Sequence, residues 1–163
     1  MNPELSRFTA YLPPGATILD LGAGTGETAA ELILQGYTLF AIDNNPQALQ
    51  ALTQLPKITV INATLPLIPL KQLVDALWCA NTLPWLSQTD QQATITQAST
   101  LLKPKGICYY STRSPDPRGK ESMLIPLTPE LIKQSLLDAG LILLTHYPDQ
   151  QDPRWHHWFA RKK

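Results

Sequence analysis

Along most of this chain, short apolar runs alternate with longer stretches in which apolar residues recur at helical spacing. Ile18, Leu19 and Leu21 make one such run, and it breaks at Gly22, Gly24 and Gly26. The segment behind them has helical period over about residues 25–35, and Gly36 ends it. A second run over residues 37–42 reaches Asp43, after which Asn44-Asn45-Pro46 caps another helix with proline in its first turn. Residues 58–63 are β-branched and predict a third strand. Residues 65–73 contain Pro66 and Pro69, leaving a turn or two of helix where a crossover is due. A fourth strand over 76–80, a helix over about 87–102 and a fifth strand over 107–112 follow. The stretch 114–126 is the longest predicted loop. Thr128-Pro129-Glu130 then opens a helix that Gly140 closes. Strands over 141–147 and 155–161 are joined by residues 148–153, too few for a crossover helix, so the last strand must run antiparallel. Ahead of all this, residues 3–12 predict a short amphipathic helix with Leu5, Phe8 and Leu12 on one face.

The strand, the three glycines and the following helix start make a place where backbone can approach a ligand closely. A dinucleotide fingerprint is G-x-G-x-x-G, but here the third glycine comes one residue early. Asp20 ends the first strand two residues before Gly22. A carboxylate there repels a pyrophosphate and suits a ligand carrying an ammonium and a sulfonium. Asp43 closes the second strand, where a carboxylate can accept hydrogen bonds from both ribose hydroxyls. A phosphate-free nucleoside attached to a cation describes S-adenosylmethionine.

Three further segments stand in register with these. They are Ala41-Ile42-Asp43, Leu101-Leu-Lys-Pro-Lys-Gly106 before the fifth strand, and Thr128-Pro-Glu-Leu131 leading to Asp138-Ala-Gly-Leu141. Together with Leu19-Asp-Leu-Gly-Ala-Gly-Thr-Gly26, they make the chain resemble the class I S-adenosylmethionine-dependent methyltransferases over most of its length. The resemblance implies an α/β, Rossmann-like, doubly wound sheet of seven strands, mostly parallel with the last strand antiparallel, as one domain over residues 1–163. The expected cofactor-binding set follows the strand ends: Asp20, Gly22, Ala23, Gly24 and Gly26, then Asp43 and Asn44, then Asn62 and Ala63, then Asn81. The resembled family usually has an acid where Asn62 stands, and an asparagine can still accept from the adenine amine and donate to a ring nitrogen. Asp20 has a second reading, as an acceptor for loop backbone N–H groups. Trp85 is expected to wall the acceptor pocket or to be a core aromatic, and Arg113 to hold an anionic acceptor or to be an ordinary surface arginine. No residue declares itself as a general base.

Composition narrows the partners. Lysine plus arginine equals aspartate plus glutamate at 13 each, which argues against nucleic acid and anionic membrane and favours a small-molecule acceptor over a protein. No apolar run approaches the ~20 residues of a membrane span. The opening Met-Asn-Pro-Glu lacks the pattern of a signal peptide, and Cys79 and Cys108 read as free buried thiols, so a cytoplasmic location is expected. Adjacent His156 and His157 point to opposite faces of a strand and cannot share an ion, so no metal is expected. The short segment before the first strand predicts an open site. Two other functions stay open: a catalytically silent S-adenosylmethionine-binding module, and a nicotinamide-dependent oxidoreductase, against which Asp20 and the early third glycine both count.

Overall fold

In a computed structural model that describes residues 2–120 and 122–163, the strands are β1 (Thr17–Leu21), β2 (Thr38–Asp43), β3 (Ile58–Asn62), β4 (Val74–Cys79), β5 (Leu102–Arg113), β6 (Leu141–Pro148) and β7 (Trp155–Lys162). The helices are α1 (Pro3–Thr9), α2 (Glu27–Leu34), α3 (Pro46–Leu52), α4 (Gln88–Thr100) and α5 (Pro129–Asp138). The strands form a single sheet in the order β3-β2-β1-β4-β5-β7-β6. All neighbours from β3 to β5 are parallel, while β7 lies antiparallel between β5 and β6. This is the Rossmann-like, doubly wound arrangement the sequence leads one to expect. From β1 the chain winds outward to β2 and β3, then returns to lay β4 on β1's other side. The order therefore reverses between β1 and β4, and their carboxyl ends frame the crevice where open α/β sheets take ligands.

Alternation along the strands divides the core in two. Ile18, Ala41, Trp78, Tyr109 and Phe159 pack against Leu5 and Phe8 of α1, Ala29 and Leu32 of α2, and Leu52 of α3. On the opposite face, Leu19, Leu21, Leu77, Tyr110 and Trp158 meet Ile95 and Ala98 of α4 and Ile132 and Leu136 of α5. The first helix is thus a core element, held by Leu5 and Phe8.

Local chemistry sets the helix starts. Asn45 caps α3 by accepting from the Gln47 and Ala48 N–H groups, and Thr128 caps α5 by accepting from Leu131 N. Two expectations are corrected. Residues 63–73 form no helix; Pro66 and Pro69 withhold the amides a helix needs, and Leu65, Ile68 and Leu70 pack onto the α4–α5 core instead. The fifth strand begins at Leu102, not Ile107, because Leu102 pairs with Val74 across a register irregularity before Ala76 pairs with Ile107.

A single 3-10 turn, Leu83–Trp85, follows β4 and was not foreseen. Fully buried Gln91 of α4 ties this turn to the long loop, its Nε2 donating to Leu86 O at 3.1 Å and Ile125 O at 2.8 Å. Among the described residues no helix is long and apolar enough to cross a membrane.

Candidate cofactor site

Three cavities meet at Asn81, just beyond β4. One of about 240 Å³ lies between the glycine turn and β4, lined by Asp20, Gly22, Gly24, Thr28, Trp78 and Ala80. A second of about 360 Å³ lies beyond β2, lined by Ile42, Asp43, Asn44, Ala63, Thr64 and Trp85. A third of about 390 Å³ lies beyond β5 and β7, lined by Glu4, Tyr109, Asp149, Trp155 and His157. Asn81 borders all three. It holds a left-handed backbone at φ 54°, which asparagine tolerates better than most residues. The Ser111 hydroxyl fixes it, accepting from Asn81 N at 2.7 Å.

The glycine turn contributes shape. Gly22 N and Ala23 N donate to Ile42 O at 2.8 and 3.0 Å, Gly24 N to Asp43 Oδ2 at 2.9 Å, and Gly26 N to Ala23 O at 3.2 Å. These four amides are therefore used within the chain, and the first three tie the turn to the end of β2. A Cβ on Gly24 would meet nothing within 4 Å, so that side of the turn opens onto free space. At Gly22, φ is 71° and a Cβ would stand 2.3 Å from Thr82 Oγ1. Thr82 has little freedom to yield, since its hydroxyl donates to Leu21 O or Ala80 O, each at 3.0 Å. Gly22→Ala is expected to destabilise the chain by roughly 2–4 kcal/mol, of which left-handed strain is ~1–2 kcal/mol. Urea unfolding checks this. Adding Thr82→Ala should return the collision share and leave the strain; no recovery in the double variant would place the cost elsewhere.

Two carboxylates flank the turn. Asp20 lies on the α1–α2 side of the sheet, beside Trp78 in register, and is only 2 % exposed. Its Oδ2 is buried with no hydrogen-bond partner. The backbone-orienting reading of Asp20 has no support, because no loop amide donates to it among the described residues. Burial pushes the Asp20 carboxyl up to about 7, and the neighbouring Asp43 carboxylate adds to the rise. Asp43 is half-buried, with Oδ2 accepting from Gly24 N and Oδ1 from Asn45 N, both at 2.9 Å. It is not the helix cap, a duty Asn45 performs. Each carboxylate oxygen retains a further lone pair for a ligand.

The other expected residues divide. Ala63 lines the second cavity, whereas exposed Asn62 does not. Asn62 is the last residue of β3, and the cavity is lined instead by the segment beyond the strand, where the polar group is Thr64. Asn44 Nδ2 donates to Thr64 Oγ1 at 3.2 Å. Trp85 is 61 % exposed on the 3-10 turn and walls the second cavity, so the core-aromatic reading fails. Arg113 borders a separate cavity of about 350 Å³ beneath the long loop, but its charge is committed: Nη1 pairs with Asp152 Oδ2 at 3.3 Å, and the guanidinium lies 5.4 Å from the Trp155 ring centroid. Nothing in that geometry reserves it for an anionic acceptor. Thr64, Thr82 and, in the third cavity, Glu4, Tyr109 and Asp149 were not singled out from sequence.

Cys79 and Cys108 are free and buried, and burial pushes both thiols up, Cys108 to about 12. His156 and His157 do face opposite ways. His156 Nδ1 meets His146 Nε2 at 2.8 Å, whereas His157 Nδ1 meets the Tyr109 hydroxyl at 2.8 Å on the other face. Trp158 stacks on His146 at 3.7 Å on the α4–α5 side, and Trp155 lines the third cavity.

Comparison with known proteins adds the following. A family model described as a methyltransferase domain matches residues 18–106. An uncharacterised methyltransferase of Mycobacterium tuberculosis is 35% identical over 100 residues, which are 59% of this chain and 40% of that protein, so the match spans well under half the relative's length. Among solved structures, the Burkholderia thailandensis 1,6-didemethyltoxoflavin-N1-methyltransferase superposes with a TM-score of 0.80 at 18% identity, covering 99% of this chain and 77% of that one. It was solved with its substrate and S-adenosylhomocysteine bound. The cyclase SpnF superposes with a TM-score of 0.83 at 16% identity, covering 97% of this chain and 79% of that one.

Proposed function

The chain belongs to the methyltransferase-domain family, and on that premise we propose that residues 1–163 act as one S-adenosylmethionine-dependent methyltransferase domain with a small-molecule acceptor. The observation that carries the reading is that Asp20, whose Oδ2 is buried without a partner, lines a cavity beside a second carboxylate. Two carboxylates brought together without a counter-charge are costly, and a ligand bearing an ammonium and a sulfonium relieves both. Bound there, S-adenosylmethionine supplies an electrophilic methyl group already activated by its sulfonium.

The roles follow from position. Asp20 faces the cationic end, with Gly22 and Gly24 giving it room. Asp43 accepts from the ribose hydroxyls, and Asn44, Ala63 and Thr64 wall the adenine side. Asn81, where the cavities join, sits beside the methionine end, and Trp85 closes the second cavity from above. The chain's work is to align the acceptor with the methyl group, a contribution of ~7–11 kcal/mol when orientation is complete. The balance of 13 basic and 13 acidic residues supports a small molecule over nucleic acid. The Burkholderia protein of the same fold, named as a 1,6-didemethyltoxoflavin-N1-methyltransferase, fits the same picture.

A second reading rests on SpnF, which shares this fold and is named as a cyclase: the chain would bind S-adenosylmethionine without transferring its methyl group. Calorimetry with S-adenosylhomocysteine and NADH in competition tests the cofactor. We expect S-adenosylhomocysteine to win outright, and a preference for NADH would overturn both readings. Transfer of labelled methyl groups to added nucleophiles then separates the first from the second.

A further inference from the structure

The third cavity contains a polar chain that the cofactor does not account for. The Tyr109 hydroxyl meets His157 Nδ1 at 2.8 Å, and His157 Nε2 meets Asp149 Oδ2 at 3.2 Å. Backbone N–H groups of Asp152 and Gln151, with His157 itself, hold the Asp149 carboxyl below its ordinary range. An ionised carboxylate only accepts, so His157 Nε2 must carry the proton that it donates. In a neutral imidazole that leaves Nδ1 as an acceptor, and Tyr109 donates to it. The Tyr109 oxygen then acts only as an acceptor towards its other neighbours, with the Ser111 hydroxyl beside it and the cavity on the side Tyr109 lines.

A buried tyrosine needs one partner of any kind. This one has a base that a carboxylate orients, one of the arrangements by which proteins activate a hydroxyl. The cavity it borders shares Ala80 and Asn81 with the cavity at the glycine turn, so a molecule seated here abuts the cationic end of the proposed cofactor. The cavity wall is acidic as well. Glu4 of α1 lies 3.9 Å from His157 Nε2, and Asp149 stands on the same ring. The nearest cations are otherwise engaged, Arg7 over the Tyr147 ring at 4.9 Å and Arg113 and Arg154 on Asp152.

We propose that this cavity receives the methyl acceptor, a neutral or cationic hydroxyl or amine, and that Tyr109, backed by His157 and Asp149, removes its proton during transfer. This rests on the methyltransferase reading above. The acceptor's X–H bond breaks and its proton passes to the Tyr109 oxygen, while the tyrosine's own proton passes to His157 Nδ1. The freed pair on X forms the bond to the methyl carbon, and the carbon–sulfur pair stays on sulfur. The resulting imidazolium faces the Asp149 carboxylate. Tyr109 is the catalytic residue in this scheme, and His157 and Asp149 position and receive the proton.

Two measurements test it. Long-range nitrogen–proton NMR of the ligand-free chain is expected to show the His157 proton on Nε2, the nitrogen that faces the Asp149 carboxylate. Asp149→Asn should mix the tautomers. A His157 whose proton sits on Nδ1 has no site for the tyrosine's proton, and that result overturns the proposal. The second measurement compares probes: phenol and benzylamine must lose a proton, and iodide has none to lose. Tyr109→Phe keeps the ring that stacks on Trp78 at 4.1 Å, so the fold should survive. It should lower transfer to phenol or benzylamine by ~10²-fold or more, the usual yield of a positioned base, and leave iodide within about threefold. Equal loss for all probes, loss for none, or a wild type that methylates iodide alone overturns the assignment. A wild type that binds no S-adenosylmethionine defeats the methyltransferase reading instead, and leaves the NMR result to stand or fall separately.

Discussion

Asp20→Asn is expected to make the ligand-free chain more stable at neutral pH and a worse binder of S-adenosylmethionine. The carboxyl's value rises from an ordinary 3.8 to about 7 in the folded chain, through burial first and Asp43 second. The folded state therefore holds a proton that the unfolded state releases between about pH 4 and 7. For an acid shifted this way, the contribution to stability is intact below the unfolded value and is lost as pH rises through the folded one. At pH 8 the wild type bears the whole cost, on the order of 4–5 kcal/mol at ~1.4 kcal/mol per pKa unit. Asparagine is close to isosteric and carries no such cost. The gain should appear as a Tm higher by roughly 5–15 °C at pH 8, shrinking towards zero at pH 4. Binding should move the other way. A charge-assisted contact of ~1.5–3 kcal/mol corresponds to about a 10- to 150-fold weaker Kd. Wild-type affinity should rise with pH up to about 7 and level off, because the cationic ligand selects the ionised carboxylate. The variant should show no such profile. Equal affinity and an equal profile in both proteins would remove Asp20 from the site. Stability given up where a ligand binds is a common trade-off.

Much of this arrangement is legible in the sequence, for identifiable reasons. Helix starts at Asn45-Pro46 and Thr128-Pro129 are written in local chemistry, since cap and proline act within a single turn. The short joint between β6 and β7 fixes their antiparallel pairing. What escapes is whatever depends on register. The start of β5 rests on a pairing irregularity at Val74, and nothing in Lys103-Pro104-Lys105 announces a strand. Placing Asn62 at the second cavity misses because the strand ends there and the cavity takes Ala63 and Thr64 from the segment that follows. Trp85 carries no mark of exposure, because what leaves it outside is the 3-10 turn that Gln91 holds from α4. Tyr109 and His157 stand 48 residues apart and meet only because β7 inserts beside β5 with Tyr109 opposite Phe159. Until that register is known, a tyrosine in an apolar run and one of two adjacent histidines give no hint of a shared proton.

Asp43→Ala is expected to weaken nucleoside binding more than any other change at this site. The carboxylate holds Gly24 N and Asn45 N, so it fixes the turn in addition to its proposed role at the ribose. Two charge-assisted hydrogen bonds to the ribose hydroxyls, at ~1.5–3 kcal/mol each, correspond to roughly 10²- to 10⁴-fold in Kd. Part of any measured loss will come from the slackened turn, and a pair of ligands separates the two contributions. Adenosine carries both hydroxyls and 2′,3′-dideoxyadenosine carries neither. If Asp43 binds the ribose, the variant loses most of its affinity for adenosine and little of what remains for the dideoxy compound. The hydroxyls, worth much to the wild type, then become worth almost nothing. A turn-only role predicts the same fold-loss for both ligands. Calorimetry on the four combinations gives the coupling between carboxylate and hydroxyls directly, and a coupling near zero would reduce Asp43 to a brace for the glycine turn.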